Sequence, residues 1–252
     1  MLHIILLLIA AFFAGALNSV AGGGSFLTFP ALVFVGLPAV IANATSTVAL
    51  FPGSFASVYS YRRSWGHLEG ISLRAMLIIS VVGGMVGAAL LLVTPENTFV
   101  AITPWLLLFA TLMFAFGKRL GAAIKRHFHF GFAALSISQL IIAIYGGYFG
   151  GGIGILMLAA FAVFGMTQIN AMNGLKSLLS GSLNAVAVVV FVTAGKVYWR
   201  EALIMMLAAI AGGYFGALFA QKLPGQAVRI FVICTGAVMT VYFFWHAYGW
   251  AL

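Results

Sequence analysis

The chain of 252 residues contains no aspartate, only three glutamates (Glu69, Glu96 and Glu201) and a single cysteine, Cys234. Charged side chains make up 6% of it, against roughly 25% in an ordinary soluble domain. So few charges exclude a water-facing surface. The missing aspartates exclude a Ser-His-Asp triad, and neither paired carboxylates nor a His-Glu-x-x-His motif stands in for one. One cysteine allows no intramolecular disulfide and no cysteine metal cluster, so Cys234 in its apolar run reads as core packing. His3, His67, His127, His129 and His246 form no helical ligand pair. Neither an enzyme nor a bound metal or cofactor is expected.

What is abundant is apolar. The chain is 64% hydrophobic with 30 glycines, and its mean hydropathy is +1.17. Lipid is the solvent that suits such a composition. Apolar runs occupy about 2–21, 26–42, 43–61, 71–93, 98–117, 130–149, 153–169, 171–194, 202–221 and 226–250, nearly free of charge and too long for barrel strands. They predict an all-α polytopic membrane protein, a single membrane domain over 1–252 with about 8–10 segments. Runs 26–42 and 153–169 are short and follow glycine clusters directly, which predicts glycine-broken short helices there.

The net charge of +9 invites a nucleic-acid partner, but the basic residues fall in the breaks between apolar runs, where positive charge orients a membrane protein. No nucleic acid is expected. Arg62, Arg63 and Arg74 flank one break, and Lys118, Arg119, Lys125 and Arg126 crowd the central one; both are expected on the cytoplasmic side, with the 94–98 break around Glu96 outside. Lys196, Arg200 and Glu201 differ too little from Lys222 and Arg229 to orient the second half. The N-terminus, without Lys or Arg, is expected outside, and the first run reads as a membrane segment and not as a cleaved leader. Trp65, Tyr198, Trp199, Trp245 and Trp250 sit near run ends, as in an aromatic belt. The expected location is the cytoplasmic (inner) membrane, multi-pass.

The chain repeats itself. Gly22-Gly23-Gly24 returns as Gly150-Gly151-Gly152, Asn43 as Asn173, Gly83-Gly84-x-x-Gly87-Ala88 as Gly212-Gly213-x-x-Gly216-Ala217, and Pro95 as Pro224, at separations of 128 to 130 residues. Two duplicated halves follow, about 1–125 and 128–252, joined by a basic connector at 117–129. Odd numbers of crossings per half make them inverted repeats, a common plan for secondary transporters; even numbers make them parallel, and the five-plus-five inverted plan is the one expected. The faces at Gly83–Gly87 and Gly212–Gly216 suit either packing within the chain or a homodimer.

Consecutive glycines break a helix, and a helix starting just after such a break points its positive end at whatever cavity the break lines. Gly23, Gly24, Ser25, Gly151 and Gly152 are therefore candidate anion ligands through their backbone N–H groups, against the alternative that these glycines only allow close packing. Polar residues follow each break: Asn43, Thr45 and Ser46, continuing through Thr47 to Ser54, and Asn173, Lys176 and Ser177, continuing through Ser180 to Asn184. On a helix Asn173, Ser177, Ser180 and Asn184 form one stripe that must face the interior. Ordinary interhelical hydrogen bonding is the competing account. Lys176 is the only ionised residue well inside an apolar run, where it costs about 2.5–3.5 kcal/mol. No intramembrane carboxylate answers it, so an anionic substrate is its expected partner, unless its stem snorkels to the interface.

These residues resemble the TauE/SafE family of membrane proteins, the sulfite exporters. The resemblance spans essentially the whole chain: Gly22-Gly23-Gly24-Ser25-Phe26, Pro30, Gly36-Leu37-Pro38 and Ala42-Asn43-Ala44-Thr45-Ser46, then Gly150-Gly151-Gly152, Asn173, Lys176-Ser177, Gly195-Lys196-Val197-Tyr198-Trp199-Arg200 and Gly212-Gly213. The resemblance implies transport of a small sulfur-containing anion, sulfite or an organosulfonate, usually outward. The second motif carries Lys176 where the first has Ser46, so the halves are chemically unequal. The expectation is a secondary transporter with a central site between the repeats and one half rocking against the other. Its coupling is open between passive flow, a protonated substrate such as bisulfite, and titration of Lys176. An anion channel and a membrane assembly factor without transport are the alternatives, and the missing aspartates weigh against a metal or other cation.

Overall fold

In a computed structural model, residues 2–20, 22–62, 72–127, 132–220 and 225–249 are described, and they form ten helices. In the first half these are α1 (Leu2–Val20), α2 (Ser25–Phe34), α3 (Ala39–Ser60), α4 (Leu73–Val93) and α5 (Glu96–His127). The second half gives α6 (Phe132–Tyr148), α7 (Ile153–Val163), α8 (Ile169–Thr193), α9 (Trp199–Ala220) and α10 (Gly225–Tyr248). Arg63, Trp65, His67, Glu69, His129, Lys222, Pro224 and Trp250 lie outside the described residues, as do the side chains of Lys118, Arg119, Lys125, Arg126, His127 and Arg229. Six of the described helices, α1, α3, α4, α5, α8 and α9, are long and apolar enough to cross a membrane. The stretch at 117–127 is a continuation of α5, not a loop.

Chain breakers set the element ends. α2 and α7 are short because each stops at a left-handed glycine, Gly36 (φ +97°) and Gly165 (φ +97°). Leu37 N–H then bonds Leu32 O and Met166 N–H bonds Phe161 O, the six-residue closure of a Schellman motif. α8 ends the same way at Gly195. Pro38 precedes α3, whose first N–H groups, on Ala39 and Val40, are taken by the Glu96 carboxylate at the start of α5. Glu96 thereby caps one helix from the first turn of another.

Polarity is inside-out. Ile78, Ile141, Leu207 and Val241 are exposed, while Thr28, Asn43, Thr45, Ser46, Ser57, Gln139, Lys176 and Ser177 are buried. Lipid replaces water as the outer solvent, so the outer surface carries the apolar load. Cys234, expected in the core, is exposed on α10. A small apolar thiol suits a lipid-facing surface as well as an interior.

The fourth helix of each half packs into the other half. α9 lies against α1 and α3, and α4 lies against α6 and α8. The repeated glycine motifs make this possible: a side chain on Gly212 or Gly216 would collide with Phe12 or Ala16 of α1, and one on Gly83 or Gly87 with Ala143 or Ile144 of α6. These faces are consumed inside the protomer. Exchanging α1–α5 with α6–α10 reproduces the principal pattern of neighbours. Contacts also fix direction. Phe12 meets Gly212 and Ala16 meets Gly216, so α1 and α9 run the same way; Gly83 meets Ala143 and Thr94 meets Tyr148, so α4 and α6 do too. α1 ends beside the end of α3, where the Tyr61 hydroxyl bonds Ser19 O, whereas α6 ends beside the start of α3, where Asn43 bonds Tyr148 O.

Candidate anion site at the paired helix breaks

The chain breaks twice at matching places. Gly22 (φ +81°) and Gly150 (φ +78°) take the left-handed conformation, and their N–H groups bond Leu17 O and Tyr145 O. The breaks touch: a side chain on Gly22 would lie 2.7 Å from Gly154 N. Gly152 is also left-handed (φ +77°) and opens α7, while Gly24 opens α2 with its N–H held by Asn18 Oδ1 at 2.7 Å. Gly23 O accepts from Phe26 N–H, and Gly151 O accepts from the Tyr145 hydroxyl at 2.9 Å.

Between the breaks lies a small polar cavity lined by Asn18, Gly22, Ser25, Thr47, Leu50, Ser54, Gly150, Ile153, Ser177, Ser180 and Asn184. Both halves contribute equally in kind. Thr47, Leu50 and Ser54 on α3 and Ser177, Ser180 and Asn184 on α8 share one spacing, so each helix turns the same stripe inward. Ser25 and Ile153 are the first residues of α2 and α7, so two helix N-termini open on the cavity. On two of the lining residues a buried polar atom has no hydrogen-bond partner among the described residues: Ser177 Oγ and Asn184 Oδ1, on residues 2% and 9% exposed. Among the described residues, no Lys, Arg, Asp or Glu lines it.

Of the residues expected from sequence, Ser25, Ser177 and Asn184 line the cavity. Gly22 and Gly150, rather than their glycine neighbours, supply the backbone wall; Thr47, Ser54 and Ser180 of the polar stripes join the lining, and Asn18 joins it without a signal in the sequence reading. The others brace the frame. Thr45 Oγ1 accepts from Tyr198 N–H at 3.1 Å, and Ser46 pairs with Thr28 at 2.6 Å. Asn43 Nδ2 donates to Tyr148 O, the last carbonyl of α6, at 3.0 Å.

Lys176, one turn beyond Asn173, makes the corresponding contact from the other half. It is 1% exposed, and Nζ donates to Asn18 O (2.9 Å), Ser19 O (3.0 Å) and Asn173 Oδ1 (3.1 Å). An ammonium has three donors, and all three are engaged. Two of the acceptors are carbonyls of the last turn of α1, which an α-helix leaves unpaired at its negative end. Asn43 and Lys176 thus each close the broken first helix of the opposite half.

The family model described as Sulfite exporter TauE/SafE matches residues 7–243. The chain is 28% identical over 236 residues to the Probable membrane transporter protein ORF9 of a Sinorhizobium species, covering 93% of this chain and 90% of that one. It is 26% identical over 244 residues to the Probable membrane transporter protein YfcA of Escherichia coli K12, with 96% and 90% covered. A Probable membrane transporter protein of Haemophilus influenzae is 27% identical over 238 residues, with 93% and 92% covered. No solved structure matches. Apolar helices around a buried polar break and a family match over nearly the whole length agree: the chain belongs to the TauE/SafE family and is a multi-pass membrane transporter.

Proposed function

We propose that this transporter moves a small sulfur-containing anion, sulfite or an organosulfonate, across the cytoplasmic membrane in the exporting direction, by alternating access at the cavity between the two breaks. The observation that carries this reading is the cavity itself: equivalent helices of both halves line it, two helix N-termini open on it, and Ser177 and Asn184 hold unpartnered polar atoms in it. Ser25, Thr47, Ser54, Ser177, Ser180 and Asn184 are the proposed ligands. Gly23, Gly24, Gly151 and Gly152 shape the breaks, while Asn43, Thr45, Ser46, Asn173 and Lys176 hold them open. The opposed directions of α1 and α6 support inverted repeats.

The moving bodies in this proposal are not the sequence halves. α9 packs with α1 and α3 and α10 with α2, while α4 packs with α6 and α8 and α5 with α7. Rocking one sequence half against the other would tear α4 and α9 from their beds. Displacing α1–α3 with α9 against α6–α8 with α4 preserves the beds of α4 and α9 and opens the seam at the breaks, with α5 and α10, which pack on each other, spanning the two bodies. The test is uptake of labelled sulfite into proteoliposomes, with taurine, sulfoacetate and sulfate as competitors and Ser177→Ala for comparison. Saturable flux with a raised KM in Ser177→Ala supports the assignment. Single-channel current would replace it with a channel, and absence of flux for every sulfur anion would sink it.

A further inference from the structure

The cavity carries no formal charge of its own, and that restricts what it binds. We infer, on the basis of the transport reading above, that the site takes a monovalent oxyanion bearing its own hydrogen-bond donor, such as hydrogensulfite, and rejects dianions. Lys176 adjoins Ser177 in sequence, yet its three donors are committed to Asn18 O, Ser19 O and Asn173 Oδ1, so no ammonium proton remains for a ligand. The lining offers hydroxyls, the amides of Asn18 and Asn184, and backbone. Its potential comes from the first turns of α2 and α7, helices of 10 and 11 residues that begin at lining residues Ser25 and Ile153, from the Lys176 ammonium, and from the negative ends of α1 and α6 at the same breaks. Each helix end acts as roughly half an elementary charge, so the ammonium offsets the two C-termini and the two N-termini together balance about one negative charge. Desolvation of an ion grows with the square of its charge, so a second negative charge meets a fourfold larger penalty with nothing left to answer it.

The hydrogen-bond inventory narrows the class further. Ser177 Oγ and Asn184 Oδ1 are both unpartnered and buried. The hydroxyl can donate to an oxyanion, but an amide oxygen can only accept, and facing a fully deprotonated oxyanion it would repel. Turning the amide over brings its nitrogen toward the ligand and still leaves that oxygen to be satisfied. An anion with one O–H satisfies both atoms at once. A protonated substrate also carries its proton with it, so sulfite leaving as hydrogensulfite moves a proton without any intramembrane carboxylate.

The experiment compares three ions in two assays on the full-length protein. Hydroxymethanesulfonate is a monoanion with an O–H, methanesulfonate a monoanion without one, and sulfate a dianion. Each competes against labelled sulfite uptake in proteoliposomes, and each is tested for raising the unfolding midpoint of the detergent-purified protein, as a ligand of the folded state must. Hydroxymethanesulfonate should compete best, methanesulfonate about fivefold less well for want of one hydrogen bond, and sulfate at least about tenfold less well. Asn184→Leu should erase the preference between the two monoanions while leaving sulfate excluded. Sulfate competing or stabilising as well as the monoanions overturns the inference, as does a methanesulfonate preference in the unaltered protein. Stabilisation in the expected order without any flux supports the site and refutes the transport reading; neither flux nor stabilisation refutes both.

Discussion

Lys176→Met separates the two roles that an intramembrane lysine can have. Methionine keeps most of the stem and removes the ammonium. Ser19 O retains the Tyr61 hydroxyl at 3.5 Å, but Asn18 O and Asn173 Oδ1 lose the Nζ bonds that reach them at 2.9 and 3.1 Å. Two orphaned buried acceptors cost about 1–3 kcal/mol each, which agrees with the roughly 3–5 kcal/mol found on removing one partner of a buried charged cluster. At about 2–4 °C per kcal/mol for a chain of this size, the unfolding midpoint should fall by on the order of 10 °C. The assay is fluorescence-detected size-exclusion chromatography of detergent-solubilised protein after graded heating, paired with sulfite flux well below the lowered midpoint. A structural clamp predicts the midpoint loss together with surviving flux and unchanged ion preference. An unshifted midpoint with abolished flux would refute the clamp and return Lys176 to the substrate.

Glu96→Ala removes the cap on the first N–H groups of α3 and should lower stability by about 1–2 kcal/mol, read as a lower midpoint in the same heating assay, with Glu96→Gln intermediate. Gly87→Val drives a side chain into the backbone of Ile144 and Tyr148 on α6, where neither can yield, and should cost at least the roughly 1–3 kcal/mol of ordinary overpacking. Loss of the monodisperse chromatographic peak checks it. Residues 1–127 and 128–252 expressed as separate chains should each be degraded alone and accumulate together, because α4 and α9 find their beds only in the other half.

The helices were legible because lipid imposes a plain rule: an apolar run long enough to span must satisfy its own backbone, and only a helix does so. The short α2 and α7 were legible for a related reason, since Gly22–Gly24, Gly36, Gly150–Gly152 and Gly165 mark where the chain stops being a helix. The inward stripe on α8 followed from spacing alone, and Ser177 and Asn184 do line the cavity. The matching phase on α3 was partly hidden because its middle position is Leu50, an apolar residue on an otherwise polar face. Within the glycine runs the wall falls to Gly22 and Gly150; composition is identical across three neighbours, so nothing in the sequence singles these two out.

What sequence could not carry is identity of partner. A Gly-Gly-x-x-Gly-Ala motif announces that another helix comes close, but a flat glycine face accepts any small-residue helix, and nothing in α4 or α9 names α6 or α1. The same holds for Lys176. Its charge predicts that something negative must answer it, and an anion was the natural inference in a chain with no intramembrane carboxylate. The answer is the negative end of α1, two main-chain carbonyls 157 and 158 residues away. Every residue has such a carbonyl, so it leaves no mark in the sequence; only the break at Gly22 leaves these ones unpaired within reach of α8. The glycine cluster and the lysine are therefore one feature. Breaking α1 creates bare acceptors in the membrane, and Lys176 Nζ bonds two of them; on the reading proposed above, its charge keeps the break open. In the proposed site the substrate meets hydroxyls, amides and two helix N-termini, so on that proposal its charge and its own proton decide whether it binds.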